Sequence, residues 1–137
     1  MQRATATWTA DLQVNIVKID EEHRLLFTLA HGLDAAHVCE LLTELGEYVR
    51  SHFLHEQALM KRSLYPQMHG HVLEHQKLAH RVALWQLRRG PWTEAEVQDF
   101  RAFLTQWLDA HIQQHDLPFA AWYARQQAQP GEATTSY

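Results

Sequence analysis

In His71-Val72-Leu73-Glu74-His75 two histidines stand four residues apart. On an α-helix that spacing puts both imidazoles on one face, about 5–6 Å apart at Cβ, close enough to ligate one metal ion. His52-Phe53-Leu54-His55-Glu56 places an imidazole and a carboxylate in the same relation. Asp20 and His23 are three apart, and His111 is followed by His115 and Asp116. Eleven histidines in 137 residues would supply about one such pair by chance. A metal centre therefore requires several of these patterns to face one another.

The elements that must position them are helices. Leu25, Leu26 and Ala30 form a stripe over Glu21 to His31, with Gly32 as a stop. Asp34 is a cap for a second helix from Ala35 to about Lys61, with Val38, Leu41, Leu42, Leu45, Tyr48, Val49 and Phe53 at helical spacing. Ser63 to Tyr65 breaks the pattern, and Pro66 opens a third helix that runs through Leu78, Val82 and Trp85 to Gly90-Pro91. Thr93 and Glu96 have the capping-box spacing, and Val97, Phe100, Phe103, Leu104, Trp107, Leu108 and Ile112 follow. Pro118 is expected to close this fourth helix, with a short helical turn over Phe119 to Tyr123. Apart from an extended piece at Leu12 to Val17, no strand-like alternation occurs.

Four helices with short connections predict an all-α, antiparallel up-down-up-down four-helix bundle, with the first twenty residues as a non-helical arm. The bundle is expected over residues 1–127, and the Pro/Gly/Thr/Ser-rich residues 128–137 form a flexible tail. In this topology His23, His52 and Glu56, His71 and His75, and the end of the fourth helix all fall at one end of the bundle. Facing helices are where bundles build metal sites.

The donor set narrows the metal. It holds five imidazoles and no thiolate, more donors than a four-coordinate structural zinc takes, and it does not suit copper–thiolate or iron–sulfur chemistry. Mixed imidazole and carboxylate ligation suits iron, and carboxylates can bridge two ions; a dinuclear iron site fits. One choice stays open. His111 and Asp116 are five apart, about 140° round an ideal helix, whereas His115 shares the face of His111. A π-bulge or a loosened last turn would bring Asp116 round.

Other residues read more plainly. His31, His37, His55, His69 and His80 are expected at the surface, Met60 and Met68 in core gaps, and Asp20 as the N-cap of the first helix. Twelve Lys+Arg against sixteen Asp+Glu give a formal charge of −4 with no basic cluster beyond Arg88-Arg89, which argues against nucleic acid. The single cysteine, Cys39, excludes an intrachain disulfide and is expected as a small buried residue. No apolar run approaches a membrane span and no secretory pattern is present, so a soluble cytoplasmic protein is expected.

The chain resembles the bacterial hemerythrins. The likeness rests on Ile19-Asp20-Glu21-Glu22-His23 with Leu26-Phe27, His52-Phe53-Leu54-His55-Glu56 with Leu59-Met60, Tyr65-Pro66 with His71 to His75, and Trp107-Leu108-Asp109-Ala110-His111-Ile112 leading to Asp116. It implies two oxo/hydroxo-bridged iron ions per chain. His71, His75 and His111 would hold one, His23 and His52 the other, and Glu56 and Asp116 would bridge them. It also implies O2 as ligand at the two-histidine iron, inside a dry pocket lined by Leu26, Phe27, Trp107, Leu108 and Ile112. His115 is then left outside the ligand set. Two departures from the family pattern are Asn15 after Val14, where glycine is frequent, and Gln57 after Glu56, where a second glutamate is common.

The function expected from this resemblance is reversible O2 binding by a carrier or store, not an enzyme, with O2 and small anions as its ligands. The alternatives are an oxygen- or redox-sensing domain that signals to a partner or a fused module, and a di-iron oxidase or nitric-oxide-handling protein. Against the enzyme, oxygen-activating di-iron bundles use four carboxylates with paired Glu-x-x-His motifs, and Glu-x-x-His does not occur in this sequence.

Overall fold

Val38, Leu42, Leu45, Val49 and Phe53 recur every three to four residues along one helix and are all buried, as a core-facing stripe requires. The computed structural model describes residues 5–88 and 91–128. It contains helices α1 (Val17–His31), α2 (Val38–Ser63), α3 (Met68–Gln86), α4 (Glu94–His111) and α5 (Leu117–Gln127). The first four form the expected all-α four-helix bundle, and no strand occurs among the described residues. Between α4 and α5 lies one π-helical turn, Ile112–Asp116. α1 packs on α2 and on α4, and α2 packs on α3. No helix among the described residues is long and apolar enough to cross a membrane.

The N-terminal arm is not an extended strand. A 3-10 turn spans Ala10–Leu12, and the chain then turns at Asn15, whose φ is 65°. Helix α1 begins at Val17, four residues before the expected start at Glu21. Its N-cap is Ile16, so Asp20 is not the cap. Asp20 lies inside the helix, 4% exposed. Its carboxylate accepts hydrogen bonds from Val14 N at 2.8 Å and Asn15 N at 3.1 Å. A buried carboxylate thus satisfies two backbone donors of the turn that no helix or sheet serves. Farther up, Ala6 N donates to Thr105 Oγ1, and the His31 ring meets Ala6 O at 2.8 Å. Leu12 and Val14 are buried in the bundle core.

The helix ends show the local chemistry that sets their limits. Asp34 caps a turn rather than α2 itself: its carboxylate accepts from His37 N at 2.8 Å, and α2 starts at Val38. Cys39 is exposed, contrary to expectation. The buried stripe of α2 runs through Val38, and the next residue lies about 100° round the helix. At the other end of α2, Leu64 adopts the left-handed conformation with φ 60° and is 82% exposed. Tyr65 N there reaches back to Met60 O at 3.0 Å. The capping box of α4 forms as predicted, with Glu96 N on Thr93 Oγ1 and Thr93 N on Glu96 Oε1.

Pro118 does not end the helical rod. It occupies the first turn of α5, where a missing N–H is tolerated, and α5 extends through Gln127 rather than for a single turn. The expected tail lies outside the described residues from 129 onward.

Candidate metal centre

Every helix of the bundle contributes to one buried cluster. α1 supplies His23, α2 supplies His52 and Glu56, α3 supplies His71 and His75, and α4 supplies His111. Asp116 comes from the π-helical turn that follows α4. That turn closes with Leu117 N on Ile112 O, a bond spanning five residues. Such a turn stacks residues five apart on one face, as an α-helix stacks residues four apart. Asp116 is thereby swung under His111, and it is Asp116, not His115, that joins the clustered donors. The His115 ring lies instead against the outer side of His111, 5.1 Å between centroids, and is only partly buried.

None of the seven side chains exceeds 4% exposure. Their donor atoms fall into two overlapping groups within 4.8 Å: Glu56, His71, His75, His111 and Asp116 in one, and His23, His52, Glu56 and Asp116 in the other. Both carboxylates belong to both groups, and each divides its oxygens between them. Glu56 Oε1 lies 2.8 Å from His71 Nε2 and 3.0 Å from His75 Nε2, while Oε2 faces His52 Nε2 at 3.9 Å. Asp116 Oδ1 lies 2.9 Å from His71 Nε2 and 3.2 Å from His111 Nε2, while Oδ2 lies 3.1 Å from His23 Nε2. The three-imidazole half and the two-imidazole half are joined by two carboxylate bridges.

These close approaches are mostly not hydrogen bonds. Glu56 Oε2, both Asp116 oxygens, and both ring nitrogens of His23, His71 and His111 are buried without a hydrogen-bond partner. Leaving so many polar atoms unpaired is costly, and two carboxylates in an apolar core are costlier still. Lone pairs that converge without aligning on one another suit a shared cation. Two donors about 2.1 Å from one ion and at right angles lie about 3 Å apart, the spacing seen here. The donor set fits a metal site.

The electrostatics without metal point the same way. Burial opposes ionisation of Glu56 and Asp116, as does the repulsion of Glu56 by Asp116, yet the imidazoles around them hold both below the ordinary carboxylate range. At His71 burial works against charge, but the Asp116 and Glu56 carboxylates raise the pKa to about 9. At His75 burial prevails and lowers it to about 4. Two ionised carboxylates thus face one imidazole, His71, that favours its charged form.

A family model, the hemerythrin HHE cation binding domain, matches residues 14–123. The chain belongs to the hemerythrin family. Among its relatives is a bacteriohemerythrin of Stenotrophomonas maltophilia, 31% identical over 124 residues that cover 85% of this chain and 80% of the relative. A bacteriohemerythrin of Methylococcus capsulatus is 31% identical over 122 residues, 82% of this chain and 92% of the relative. A hemerythrin subunit 2 of Golfingia vulgaris is 32% identical over 78 residues, 57% of this chain and 68% of the relative. The span matched by the family model contains all seven clustered side chains.

The cluster lies inside the matched span and fits a metal site. Of the apolar residues expected to line it, Leu26, Phe27, Leu108 and Ile112 are buried in the bundle core, and Trp107 stacks on the His111 ring at 4.6 Å. Phe53 adds a wall that spacing assigned only to the core: its ring lies on His75 at 3.8 Å and 4°. Two polar residues behind the imidazoles escaped the sequence reading. Glu22 Oε1 accepts from His52 Nδ1 at 2.9 Å, and Gln57 Oε1 accepts from His75 Nδ1 at 2.9 Å. Both contacts join different helices, thirty and eighteen residues apart in sequence, so no local pattern announces them. His55, expected as a plain surface residue, is exposed but meets Glu22 Oε2 at 2.5 Å.

Proposed function

We propose that this chain binds O2 reversibly at two iron ions and serves as an oxygen carrier or store. His71, His75 and His111 would hold one ion and His23 and His52 the other, with Glu56 and Asp116 shared between them. The observation that carries the reading is the inequality of the two halves, three imidazoles against two around the same pair of carboxylates. Only the two-imidazole half retains a position for a small ligand, O2 or a small anion. Iron, held by these residues, would supply the electrons and the coordination site that O2 requires.

The surrounding residues support binding rather than turnover. Ile112 and Leu26 are 0% and 1% exposed, and Phe27 and Leu108 are 3% and 2% exposed. Apolar packing of this kind around a buried cluster would keep water away, which protects a bound small molecule against hydrolysis and side reactions. The donor set is dominated by imidazoles, unlike the four-carboxylate sets of oxygen-activating di-iron bundles.

The test is an optical spectrum of the reduced, iron-loaded protein before O2, after O2 and after deoxygenation, with iron counted per chain. Two irons and a charge-transfer band that appears with O2 and vanishes on its removal support the carrier. Rapid irreversible oxidation refutes it and favours a sensor or an oxidase. One iron per chain, or zinc in its place, overturns the assignment of the two halves.

A further inference from the structure

The five imidazoles are not backed alike. The Nδ1 atoms of His23, His71 and His111 are buried without a hydrogen-bond partner among the described residues. His75 Nδ1 is held by Gln57, a neutral amide. Among the described residues only His52 Nδ1 is held by a carboxylate, that of Glu22, whose side chain is 16% exposed. The second oxygen of Glu22 is itself engaged by His55 Nδ1, and Lys18 Nζ lies 4.0 Å away. Glu22 is thus fixed on one side by the surface groups of α1 and α2 and on the other by an imidazole of the two-imidazole half.

We propose that Glu22 is a positioning residue for that half: it locks His52 as the Nδ1–H tautomer with Nε2 turned to the metal, and it adds negative charge behind the ion that takes the exogenous ligand. A carboxylate on the far nitrogen of a ligating imidazole fixes ring and tautomer and makes the other nitrogen a stronger donor. The opposite half has only the neutral Gln57, so the two ions differ in the charge behind them as well as in imidazole number. His55 serves as the outer anchor that keeps the Glu22 carboxylate from rotating toward solvent. The inference rests on the reading of the two halves as iron sites.

The test is a chelator-competition titration of the full chain with Fe(II) under anaerobic conditions, together with the midpoint potential of the loaded protein. The variants are Glu22→Ala and Glu22→Gln. The alanine variant should bind the first ion as the parent does and the second about 10- to 100-fold more weakly. Glutamine keeps an oxygen for His52 and an amide for His55, so it should restore the second affinity to within severalfold of the parent. It removes the charge, so the potential should rise. In the zinc-loaded protein, 15N chemical shifts should report the His52 Nδ1–H tautomer in the parent and in Glu22→Gln, and its loss in Glu22→Ala. An alanine variant with both affinities and the His52 tautomer unchanged overturns the proposal. Equal weakening of both ions overturns it in favour of a merely structural role. A parent chain that binds fewer than two ions removes the two-iron reading, and this inference with it.

Discussion

Replacing Asp20 by alanine separates two roles that its position beside His23 makes easy to confuse. The structure assigns Asp20 to the arm, through Val14 N at 2.8 Å and Asn15 N at 3.1 Å, and keeps it out of the metal-binding group. A hydrogen bond to a charged acceptor contributes about 1.5–3 kcal/mol. The two bonds are not equivalent. Val14 is 6% exposed, so its N–H would be left buried and unpaired, at the full cost. Asn15 is exposed, and water can replace most of its lost bond. The sum is about 3–4 kcal/mol of destabilisation, which for a domain of this size lowers the melting temperature by about 10–15 °C. Asparagine keeps one oxygen but turns an amide N–H₂ toward the other donor, so about half of the loss should remain. The assay is a thermal melt followed by circular dichroism, paired with iron counted per chain. The expected result is a large fall in melting temperature with iron unchanged at saturating metal. Loss of iron with an unchanged melting temperature would refute the reasoning, because it would make Asp20 a ligand and not the clasp of the arm.

Three further expectations follow from other parts of the molecule. Asp116→Ala should abolish stoichiometric iron while His115→Ala leaves it intact, measured by elemental analysis of the purified proteins; the opposite ranking would place the wrong residue under His111. Leu64→Gly should raise stability by about 1 kcal/mol, because the exposed leucine holds φ 60° and a side chain in that region costs about 1–2 kcal/mol; a denaturant titration with a lowered midpoint would contradict this. The metal-free protein should be most stable near pH 6.5. His71 has a raised pKa of about 9, so its contribution is complete below 6.5 and is lost as pH rises toward 9. His75 has a lowered pKa of about 4, so the unfolded chain takes up a proton that the native one refuses as pH falls from 6.5, and stability declines there as well. Melts of chelated protein from pH 5 to 9 that rise or fall monotonically would refute that assignment.

Much of this was legible in the residues. The α2 stripe from Val38 to Met60, the capping box at Thr93 and the i,i+4 pairs of α2 and α3 are local patterns, and local patterns survive into the structure. The placement of six of the seven donors followed from helix order alone. Asp116 did not, because a π turn is a property of the backbone that no residue type dictates; helix periodicity pointed to His115 equally well. The start of α1 was misjudged because Val17 and Lys18 carry no helical signature, and their helix is fixed from outside by the Asp20 clasp on the arm. Pro118 read as a stop because its first-turn use looks identical in sequence. Glu22 and Gln57 were invisible for a different reason: their partners are on other helices, and only packing brings them together.

All seven donors lie toward one end of the bundle, and the α1–α2 connection through Gly32 to His37 lies at the other. That connection is held by its own bonds, Ala35 N to Glu94 and Arg101 to Leu33 O, none of which touches a donor. The molecule is therefore divided along its length into a chemical end and a constructional end. A lengthened loop at the constructional end should leave the seven clustered side chains where they are. A lineage can diversify what this domain is attached to, or what it touches, without rebuilding the centre that gives it a use.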